Sequence, residues 1–443
     1  MLMNFRFANH RSFRDEGRLD FVPDYEDDLH EFTSTPVTAV FGANASGKSN
    51  MINALAYMRR MAINSDRDSE PDAGVARAPF KLDPEVAAEP SRYVVDLSLE
   101  GVRSTYGFTV DSEKVLEEWL YVYPEGRRNV VFERTESDFS FGEDAQRTPL
   151  GQVQAITAPN VLFLSVAARA GQELVIPVYN WFSREVHIYA QQYRDVYYRA
   201  QELIDRIDGT SRRSAIADLL RAAGLGLRDL LLIPAEDDTQ LVLEGIGDQW
   251  GPALQRSARR RRGNRRLAFK HVGAWGDVLL GWSEQSTGTQ MLLELAVTAS
   301  EVLHRGSLLV VDEIDAGLHP VLTASLVGLF QNEETNGNGA QLLITTHDST
   351  LLGSVQGSEV LRRDQIWFTQ KDEDGASIVF PLSDFHPREN ENRQRRYLNG
   401  SYGAVPVISD ELFAKAITSR GGNGDLQTCL QGRTQGCRGR SGA

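Results

Sequence analysis

The residues best suited to chemistry lie in a glycine-rich stretch near the N-terminus. It fits the pattern G-x-x-x-x-G-K-[ST] with Gly42, Ala43, Asn44, Ala45, Ser46, Gly47, Lys48 and Ser49. In such a loop the backbone N–H groups surround a phosphate chain, the lysine reaches the β- and γ-phosphates, and the final hydroxyl coordinates Mg²⁺. The stretch from Gly42 to Asn50 therefore predicts a site for a nucleoside triphosphate and Mg²⁺.

The elements on either side of this loop are the ones that the chemistry requires. The apolar run Val37–Phe41 predicts a buried strand that ends at Gly42. After Ser49, apolar residues recur at helical spacing: Met51, Ile52, Leu55, Ala56 and Met58. A helix that begins there directs the positive end of its dipole at the phosphates. A strand before the loop and a helix after it make the match more specific than a glycine-rich turn alone.

A second apolar run ends in two carboxylates. Ser307–Val311 predicts a buried strand, and Asp312 and Glu313 follow it directly. Phosphoryl transfer needs one group to hold Mg²⁺ and another to orient and deprotonate the attacking water. We assign the first role to Asp312 and the second to Glu313. An acidic pair could also simply end an ordinary strand, but the upstream loop favours the catalytic interpretation.

A third apolar run, Leu342–Thr346, ends at His347. A lone histidine is more often structural than catalytic. At the carboxyl end of a parallel strand beside the phosphate loop, however, this histidine is placed to contact a γ-phosphate.

A turn of small polar residues precedes the apolar helix predicted at Met291–Leu303. Its sequence is Ser286, Thr287, Gly288, Thr289 and Gln290. Such a turn at a helix N-terminus is an anion site. Because the phosphate loop already holds the phosphates within one subunit, the turn indicates contact with a second subunit's nucleotide.

Length and composition set limits on the rest. The 443 residues exceed the usual size of a single core, which predicts one large composite domain or two domains. No apolar run is long enough to span a membrane and no signal peptide is visible, so we expect a cytoplasmic protein without membrane contact. The only cysteines, Cys429 and Cys437, exclude a disulfide framework and a four-cysteine zinc site.

A dense arginine cluster stands out against the net charge of −14. Its members are Arg256, Arg259, Arg260, Arg261, Arg262, Arg265 and Arg266. The cluster could neutralise several phosphates of a nucleic acid or bind an acidic partner surface. It could equally be a solvated loop, because blocks of like charge are usually disordered. Both interpretations stay open.

The remaining sequence predicts a hairpin at residues 1–23 and an antiparallel meander. The predicted meander strands are Arg92–Leu99, Val102–Val110, Val115–Tyr123 and Asn129–Arg134. The segment Asn64–Pro90 is expected to be a loop. Further predicted strands are Val161–Leu164, Leu230–Pro234 and Thr239–Leu243, and further predicted helices are Trp181–Asp208, Arg212–Ala223 and Val321–Phe330. The absence of sustained heptads excludes a long coiled-coil arm.

Together these motifs, in this order, resemble the ABC-type ATPase heads of the RecF, SMC and OLD group. The likeness rests on the phosphate loop, a signature turn at Ser286–Gln290, a Walker B strand at Leu308–Glu313, a D-loop at Asp315–Leu318 and a switch histidine at His347. Thr289 stands where the Leu-Ser-Gly-Gly-Gln form has its second glycine.

The opening residues add to this resemblance. Asn9-His10-Arg11-Ser12-Phe13 is similar to the Asn-Phe-Arg-Ser-Phe start of such heads, with His10 in place of an aromatic residue. The resemblance implies that Arg11 touches the nucleotide and that Asp315 of the D-loop belongs to the nucleotide site.

The end of the head is more specific. Tyr397-Leu398-Asn399-Gly400-Ser401-Tyr402-Gly403-Ala404-Val405-Pro406 resembles the ending of small bacterial "AAA family" ATPases from phage-defence operons, including the AbiL, PARIS and Septu types. Ser401 replaces the arginine expected there. The likeness extends from Met1 to about Phe413.

These observations predict an α/β fold: an ABC-type P-loop ATPase head with a mostly parallel core sheet, an antiparallel β lobe and an inserted helical segment. The predicted divisions are an N-terminal lobe (1–160), an inserted helical segment with the arginine-rich loop (161–265), a C-terminal lobe (266–413) and a disordered tail (418–443).

The resemblance implies a Mg²⁺-dependent ATPase switch. Two heads, or a higher oligomer, would close on ATP, each offering Ser286–Gly288 to the other's γ-phosphate, and hydrolysis by Glu313 with His347 and Lys48 would reopen them. A separate effector, for which a nuclease is expected, would act in phage defence. Two alternatives remain: a RecF-like DNA-repair ATPase that grips DNA through Arg256–Arg266, and a scaffold that binds ATP with little turnover.

Overall fold

The strands that carry the predicted motifs lie side by side in one mostly parallel sheet. The computed structural model describes residues 1–23, 34–70, 73–146, 148–190, 203–234, 265–387, 391–406, 409, 415 and 417. In chain order, the strands are β1 (Leu2–Ala8), β2 (Gly17–Asp20), β3 (Val37–Gly42), β4 (Ser91–Leu99), β5 (Val102–Val110), β6 (Val115–Tyr123), β7 (Asn129–Thr135), β8 (Asp138–Phe141), β9 (Val186–Tyr189), β10 (Leu227–Pro234), β11 (Arg265–Gly273), β12 (Gly276–Gly281), β13 (Leu308–Val311), β14 (Gln341–Thr346), β15 (Ser354–Val355), β16 (Ser358–Glu359), β17 (Ile366–Lys371) and β18 (Ser377–Pro381).

The helices connect and cover these strands. They are α1 (Lys48–Asp68), α2 (Pro84–Ala88), α3 (Glu143–Gln146), α4 (Leu150–Gln154), α5 (Phe163–Arg169), α6 (Ile176–Asn180), α7 (Thr210–Ala222), α8 (Thr287–Arg305), α9 (Pro320–Gln331) and α10 (Arg393–Leu398). The predicted helices after the phosphate loop, at Arg212–Ala223, at Met291–Leu303 and at Val321–Phe330 are confirmed as α1, α7, α8 and α9.

The core sheet has the order β18-β17-β3-β14-β13-β9. All neighbours from β17 to β9 pair in parallel, and β18 is antiparallel to β17. Every residue of β3, β13 and β14 is buried, as expected for parallel strands covered on both faces. The three strands predicted to bear the nucleotide motifs are thus adjacent, and their carboxyl ends meet at one edge.

An antiparallel sheet forms the second layer, in the order β2-β1-β4-β5-β6-β7-β8. It confirms both the predicted hairpin and the predicted meander, which β1 joins by pairing with β4. The fold class predicted from the sequence is therefore confirmed: an α/β head with a mostly parallel core sheet and an antiparallel lobe.

Helix α1 joins the two layers. Its buried residues Met51, Ile52, Leu55 and Met58 belong to one apolar core that also contains residues of the lobe and of the core sheet. Burial of each such side chain contributes about 1.5–3 kcal/mol. The helix that begins at the phosphate loop is consequently fixed by packing on both sides.

Two predicted elements are wrong around this core. Val161–Leu164 is not a strand, because α5 begins at Phe163. The segment Asn64–Pro90 is not entirely loop, since α1 continues to Asp68 and α2 follows, with Asp83 accepting hydrogen bonds from two N–H groups at its start. An apolar run that is buried on all sides has the same composition in a strand and in a buried helix.

The predicted helix Trp181–Asp208 is also wrong over its first part. A π-helical turn at Trp181–Glu185 leads into β9, which pairs in parallel with β13 from Val186 opposite Leu308 to Tyr189 opposite Val311. Pairing along the whole Walker B strand outweighs the helical propensity of the surrounding sequence. Residues 203–207 are helical, and the stretch between them and β9 lies outside the described residues.

The third sheet, β10-β11-β12, confirms the predicted strand Leu230–Pro234 as part of β10. Thr239–Leu243, most of the arginine cluster and the tail 418–443 lie outside the described residues.

Met1–Ala404 forms one compact unit and Val405–Ala443 a second. The divisions at residues 160 and 265 stay a prediction. None of the described helices has both the length and the apolar character needed to cross a membrane.

A buried carboxylate explains why the chain turns into a helix at Phe163. Glu118 of β6 is fully buried, and its carboxylate accepts hydrogen bonds from the backbone N–H groups of Phe163 (2.6 Å) and Leu164 (2.9 Å) at the start of α5. Arg134 Nη1 lies 3.7 Å from the same carboxylate. Burial raises the pKa of Glu118, and Arg134 opposes that rise.

We expect Glu118→Ala to lower the free energy of unfolding by about 3–5 kcal/mol, because it leaves the Arg134 guanidinium buried without its carboxylate. Chemical denaturation measures this loss. The neighbouring Glu117 is exposed, so Glu117→Ala should change stability by no more than about 0.5 kcal/mol. Equal effects of the two substitutions would contradict the role given to Glu118.

Candidate nucleotide-binding site

The phosphate loop requires glycine at two positions. Gly47 has φ of 120°, and a Cβ there would lie 2.4 Å from Ser377 Oγ on β18. A Cβ on Gly42 would lie 2.5 Å from the carbonyl oxygen of Thr369 on β17. Contacts this short exclude any side chain. The loop is therefore pressed against the strands beside it.

The apex and the base of the loop differ in exposure. Asn44 and Ala45 are exposed at the apex, and Ala45 has a left-handed φ of 63°. Ser46 is buried, and its Oγ lies 2.6 Å from Thr369 Oγ1. Its backbone N–H donates to the carbonyl oxygen of Ala43 (3.2 Å). The Ser46 side chain thus fastens the loop to β17.

Lys48 lies under the loop with only 4% of its surface exposed. Its Nζ donates to the carbonyl oxygens of Gly42 (2.7 Å) and Ala43 (3.0 Å). Burial lowers the pKa of Lys48 to about 8, opposed by the charges of Glu313, Asp312 and Asp315. A triphosphate would raise the pKa of Lys48 again by supplying close negative oxygens.

Ser49 and Asp312 form the pair predicted to hold Mg²⁺. Ser49 Oγ donates to Asp312 Oδ1 at 3.2 Å, and Asp312 is buried at the end of β13. One hydroxyl and one carboxylate are oxygen donors of the kind that Mg²⁺ combines with substrate phosphates and water. The two side chains therefore fit the predicted ion.

Thr345 was not identified from the sequence, although it contacts both carboxylate residues. Its Oγ1 donates to Asp312 Oδ1 (2.6 Å) and accepts from the backbone N–H of Glu313 (2.8 Å). Thr345 is fully buried in β14. A threonine inside an apolar strand gives no signal in the sequence, because its partner becomes visible only when β14 pairs with β13.

Glu313 has an unusual backbone for a residue with a side chain. Its φ and ψ are 53° and 58°, in the left-handed region. Such a conformation costs about 1–2 kcal/mol outside glycine and tends to occur at functional sites. The hydrogen bond from the Glu313 N–H to Thr345 supports it, and the side chain is 41% exposed. The carboxylate therefore faces the open side of the site.

His347 lies between the loop and this carboxylate. Its Nδ1 is 3.2 Å from Lys48 Nζ and 3.2 Å from the carbonyl oxygen of Gly42, and its Nε2 is 4.0 Å from Glu313 Oε1. Nδ1 thus faces a donor, the Lys48 ammonium group, and an acceptor, the Gly42 carbonyl oxygen, so these contacts are compatible with either tautomer of the ring. With its proton on Nε2, the ring can donate to an incoming anion beside Glu313.

Asp315 of the predicted D-loop contacts the same strand end. Its Oδ1 accepts from the backbone N–H of His347 at 3.2 Å. This contact fixes the backbone of His347 relative to the Walker B strand. A direct contact of Asp315 with nucleotide stays a prediction.

The opening turn packs against the first turn of α1. Arg11 is exposed, and its Nη1 lies 3.4 Å from Asn50 Oδ1. Asn50 Nδ2 donates to Ser12 Oγ at 2.7 Å. The turn that contains Arg11 is thus attached directly after the phosphate loop, but a contact of Arg11 with nucleotide stays a prediction.

His10 packs in the core in the way expected of the aromatic residue that similar ATPase heads have at this position. It is fully buried and packs on the rings of Tyr57 and Tyr93. Burial lowers the pKa of His10 to about 4, so the ring is neutral at pH 7. Its Nε2 faces Asn53 Oδ1 (3.1 Å), which requires the proton there, and its Nδ1 accepts from Tyr93 Oη (2.7 Å).

The signature turn caps α8. Ser286 Oγ accepts from the backbone N–H of Thr289 at 3.1 Å, and Ser286 and Thr287 are exposed. A Cβ on Gly288 would lie 2.6 Å from the carbonyl oxygen of Gly317, which belongs to the D-loop. Thr289 is already within the helix and bonds to Ser286 through Oγ1 (2.9 Å), so this position has no need of a second glycine.

Only two members of the arginine cluster, Arg265 and Arg266, belong to the described residues. Arg265 forms an ion pair with Asp208 (2.6 Å), and this contact lowers the pKa of Asp208. Arg256–Arg262 lie outside the described residues, and both interpretations of the cluster therefore remain predictions.

The site and the sheet together define a class of protein. A phosphate loop, a following helix, paired carboxylates and a strand-end histidine converge at the carboxyl edge of one parallel sheet, as in P-loop nucleotide-binding domains. Residues 37–353 match the family described as "AAA domain, putative AbiEii toxin, Type IV TA system". The chain belongs to this family of ATPase domains.

Other comparisons are more distant. No curated protein matches the sequence. Among solved structures, the chain is similar to the SMC head domain from Thermotoga maritima, with 16% identity, a TM-score of 0.39, and coverage of 86% of this chain and 98% of that chain. An SMC head bound to the C-winged helix domain of ScpA has 16% identity, a TM-score of 0.42, and coverage of 87% and 99%.

A third similar structure is an SMC head domain with an extended coiled coil bound to the C-terminal domain of ScpA derived from Pyrococcus furiosus. It has 12% identity, a TM-score of 0.39, and coverage of 87% of this chain and 97% of that chain. Similarity at this level does not transfer a partner or an activity to this chain.

We expect Thr345→Val to lower the rate of ATP hydrolysis roughly 10- to 100-fold, the usual cost of losing a residue that orients metal ligands. Valine has the same shape but cannot bond to Asp312 or to the Glu313 N–H. Thr345→Ser retains the hydroxyl and should recover most of the rate. Steady-state ATPase assays with matched melting temperatures test this, and equal rates for the two variants would contradict it.

Proposed function

We propose that the chain binds ATP with Mg²⁺ at Gly42–Asn50 and hydrolyses it. The observation that supports this most strongly is the convergence of two pairs and a carboxylate at one sheet edge. Lys48 lies 3.2 Å from His347, Ser49 lies 3.2 Å from Asp312, and the Glu313 carboxylate lies 4.0 Å from His347. These are the cation, metal-binding oxygens, carboxylate and imidazole donor that support phosphoryl transfer to water.

In this proposal each residue has one task. Lys48 binds the β- and γ-phosphates, and Ser49 and Asp312 hold Mg²⁺, which neutralises phosphate charge when bound. Glu313 accepts a proton from the water that attacks the γ-phosphorus, while the bond to the bridging oxygen of ADP breaks. His347 Nε2–H donates to a γ-phosphate oxygen, where negative charge develops.

We expect Glu313→Gln to lower kcat about 10²- to 10⁴-fold, because an amide cannot accept the water proton. ATP binding should persist, since Lys48 and the loop are unchanged. Single-turnover hydrolysis and nucleotide-binding titrations separate the two effects. Glu333→Gln, at an exposed position after α9, is the matched control and should leave both unchanged. Unaltered turnover in Glu313→Gln would remove the general base from the mechanism.

The exposed serine turn supports the second part of the proposal, an ATP-dependent homodimer or higher oligomer. Ser286 and Thr287 present the positive end of α8 to solvent, while Gly288 packs on the D-loop of its own chain. A partner's γ-phosphate is an anion of the kind that a helix N-terminus binds. ATP shared by two heads would stabilise the closed pair through its differential affinity for that state.

Two substitutions at Ser286 separate charge from capping. Asp and Asn both cap helices well, so each variant should fold. In a Glu313→Gln background with ATP, Ser286→Asn should retain the mass increase seen by light scattering. Ser286→Asp should abolish it, because its carboxylate repels the partner's phosphate. If both variants pair equally, the serine turn does not contact the nucleotide of a second subunit.

We also propose that this ATP switch controls a separate toxic effector in anti-phage defence. The family description, which names a putative toxin and a toxin–antitoxin system, supports this proposal, as does the defence-type ending at Tyr397–Pro406. A nuclease is the class of effector to test. Phage challenge of cells carrying the chain with its neighbouring genes should show protection that Lys48→Ala removes and Glu333→Gln retains. Protection by Lys48→Ala would exclude an ATP-driven switch.

A further inference from the structure

A cavity of about 760 Å³ lies on the exposed flank of α1. Its walls are the opening turn, α1, residues 76–78, β9, the helical residues around Leu203, and α8. Among the described residues that line it there is none from the phosphate loop, Gly42–Asn50. The cavity borders the proposed ATP site at Arg11, which contacts Asn50, and extends from there along α1 to Asn64. Its volume is within the usual range for small-molecule pockets.

Positive charge dominates the lining. Its arginines are Arg11, Arg59, Arg60, Arg77 and Arg206. Arg206 is paired with Glu301 (2.7 Å). The only lining carboxylate among the described residues is that of Glu294. Low-dielectric walls lined by one sign of charge concentrate ions of the opposite sign.

Among the described residues, the partners of the other four arginines are neutral. Arg59 donates to the carbonyl oxygen of Phe182 (2.8 Å), and Arg77 donates to the carbonyl oxygens of Ala87 (2.8 Å) and Glu89 (2.6 Å). Neutral partners leave the charge of these guanidinium groups uncompensated. The two groups are nevertheless held in place by hydrogen bonds.

The other two arginines flank the aromatic part of the wall. Arg60 lies over the ring of Tyr57, with its Cζ 5.6 Å from the ring centroid. Arg11 contacts the amide oxygen of Asn50 (3.4 Å). Both side chains are exposed and can therefore adjust to a ligand.

Two buried polar atoms in the same wall have no partner within the described part of the chain. These are Tyr57 Oη, on a residue that is only 7% exposed, and His187 Nε2. Burial raises the pKa of Tyr57, so its hydroxyl remains a donor. Burial and the charge of Arg206 lower the pKa of His187, which keeps its ring neutral. Buried polar groups normally have partners, so a ligand is the expected source of the missing hydrogen bonds.

We propose that this cavity binds a small ligand that bears more than one phosphate group. Planar guanidinium groups match phosphate oxygens in pairs, and several of them approach the space from α1 and from the segment before α2. The neutral Tyr57 hydroxyl and His187 nitrogen add hydrogen bonds that a simple charge cluster lacks. The cavity volume of about 760 Å³ is of the size that binds a small molecule.

Sodium tripolyphosphate is a suitable probe, because it carries the proposed chemistry without a base. In calorimetric titrations the wild-type chain should bind it at two sites, the phosphate loop and the cavity. Lys48→Ala should retain one site. Adding Arg60→Gln to Lys48→Ala should weaken the remaining site about tenfold or more, as expected for loss of a charge-assisted contact. Arg127→Gln, an exposed arginine of the β lobe, is the matched charge control and should have no effect.

Tyr57→Phe gives a test that does not depend on charge. It should weaken tripolyphosphate binding to Lys48→Ala without lowering the melting temperature, because the lost hydroxyl has no partner among the described residues.

Four results would overturn the proposal. The first three are a single site in the wild type that Lys48→Ala removes, equal affinities in the Arg60→Gln and Arg127→Gln variants, and equally tight binding of citrate, which would identify a general anion site. Binding of a 5′-phosphorylated oligonucleotide but not of tripolyphosphate would also overturn it, by showing that the site recognises nucleic acid. Loss of ATPase activity in Lys48→Ala with tripolyphosphate still bound at one site would separate the cavity from the proposed hydrolytic function.

Discussion

Parallel pairing of β3, β14 and β13 is the constraint on which the rest of the structure depends. Parallel neighbours end at the same edge of a sheet, so Gly42 must meet Asp312 and His347 there although hundreds of residues separate it from both in sequence. Thr345 then joins β14 to β13 by bonding to Asp312 and to the Glu313 N–H. The polar site is thus a consequence of strand order and register.

Packing of helix α1 fixes the position of the phosphate loop at the same edge of the sheet. Lys48 opens the helix, and the apolar residues that follow are buried in the core that joins the lobe and the core sheet. Gly47 and Gly42 allow β17 and β18 to press against the loop from the other side. The loop is consequently held in shape before any ligand arrives, which reduces the ordering cost of binding.

The elements that are predicted correctly from the sequence are those in which the local residue pattern and the tertiary role coincide. The phosphate loop, the strands ending at Asp312 and His347, and the helix after Ser286 carry their own signals of apolar period and terminal residue. The predictions are wrong where a residue distant in sequence decides which secondary structure forms. Phe163 starts a helix because Glu118, from another strand, accepts its N–H, and Val186–Tyr189 becomes a strand because β13 offers an edge. Thr345 belongs to the same group, since its two partners lie on the neighbouring strand.

The close approach of Gly288 to Gly317 has a consequence for communication between subunits. With 2.6 Å between a hypothetical Cβ and the Gly317 carbonyl oxygen, the two backbones have no slack. A molecule that pressed on the serine turn would therefore displace the backbone a few residues after Glu313. In a closed pair of heads, each nucleotide would report its presence to the other chain's hydrolytic carboxylate through a rigid backbone contact. Only Gly288 is constrained by this backbone contact, because a Cβ on Gly317 would meet the flexible Met291 side chain at 2.9 Å and lie 3.7 Å from Gly288 Cα.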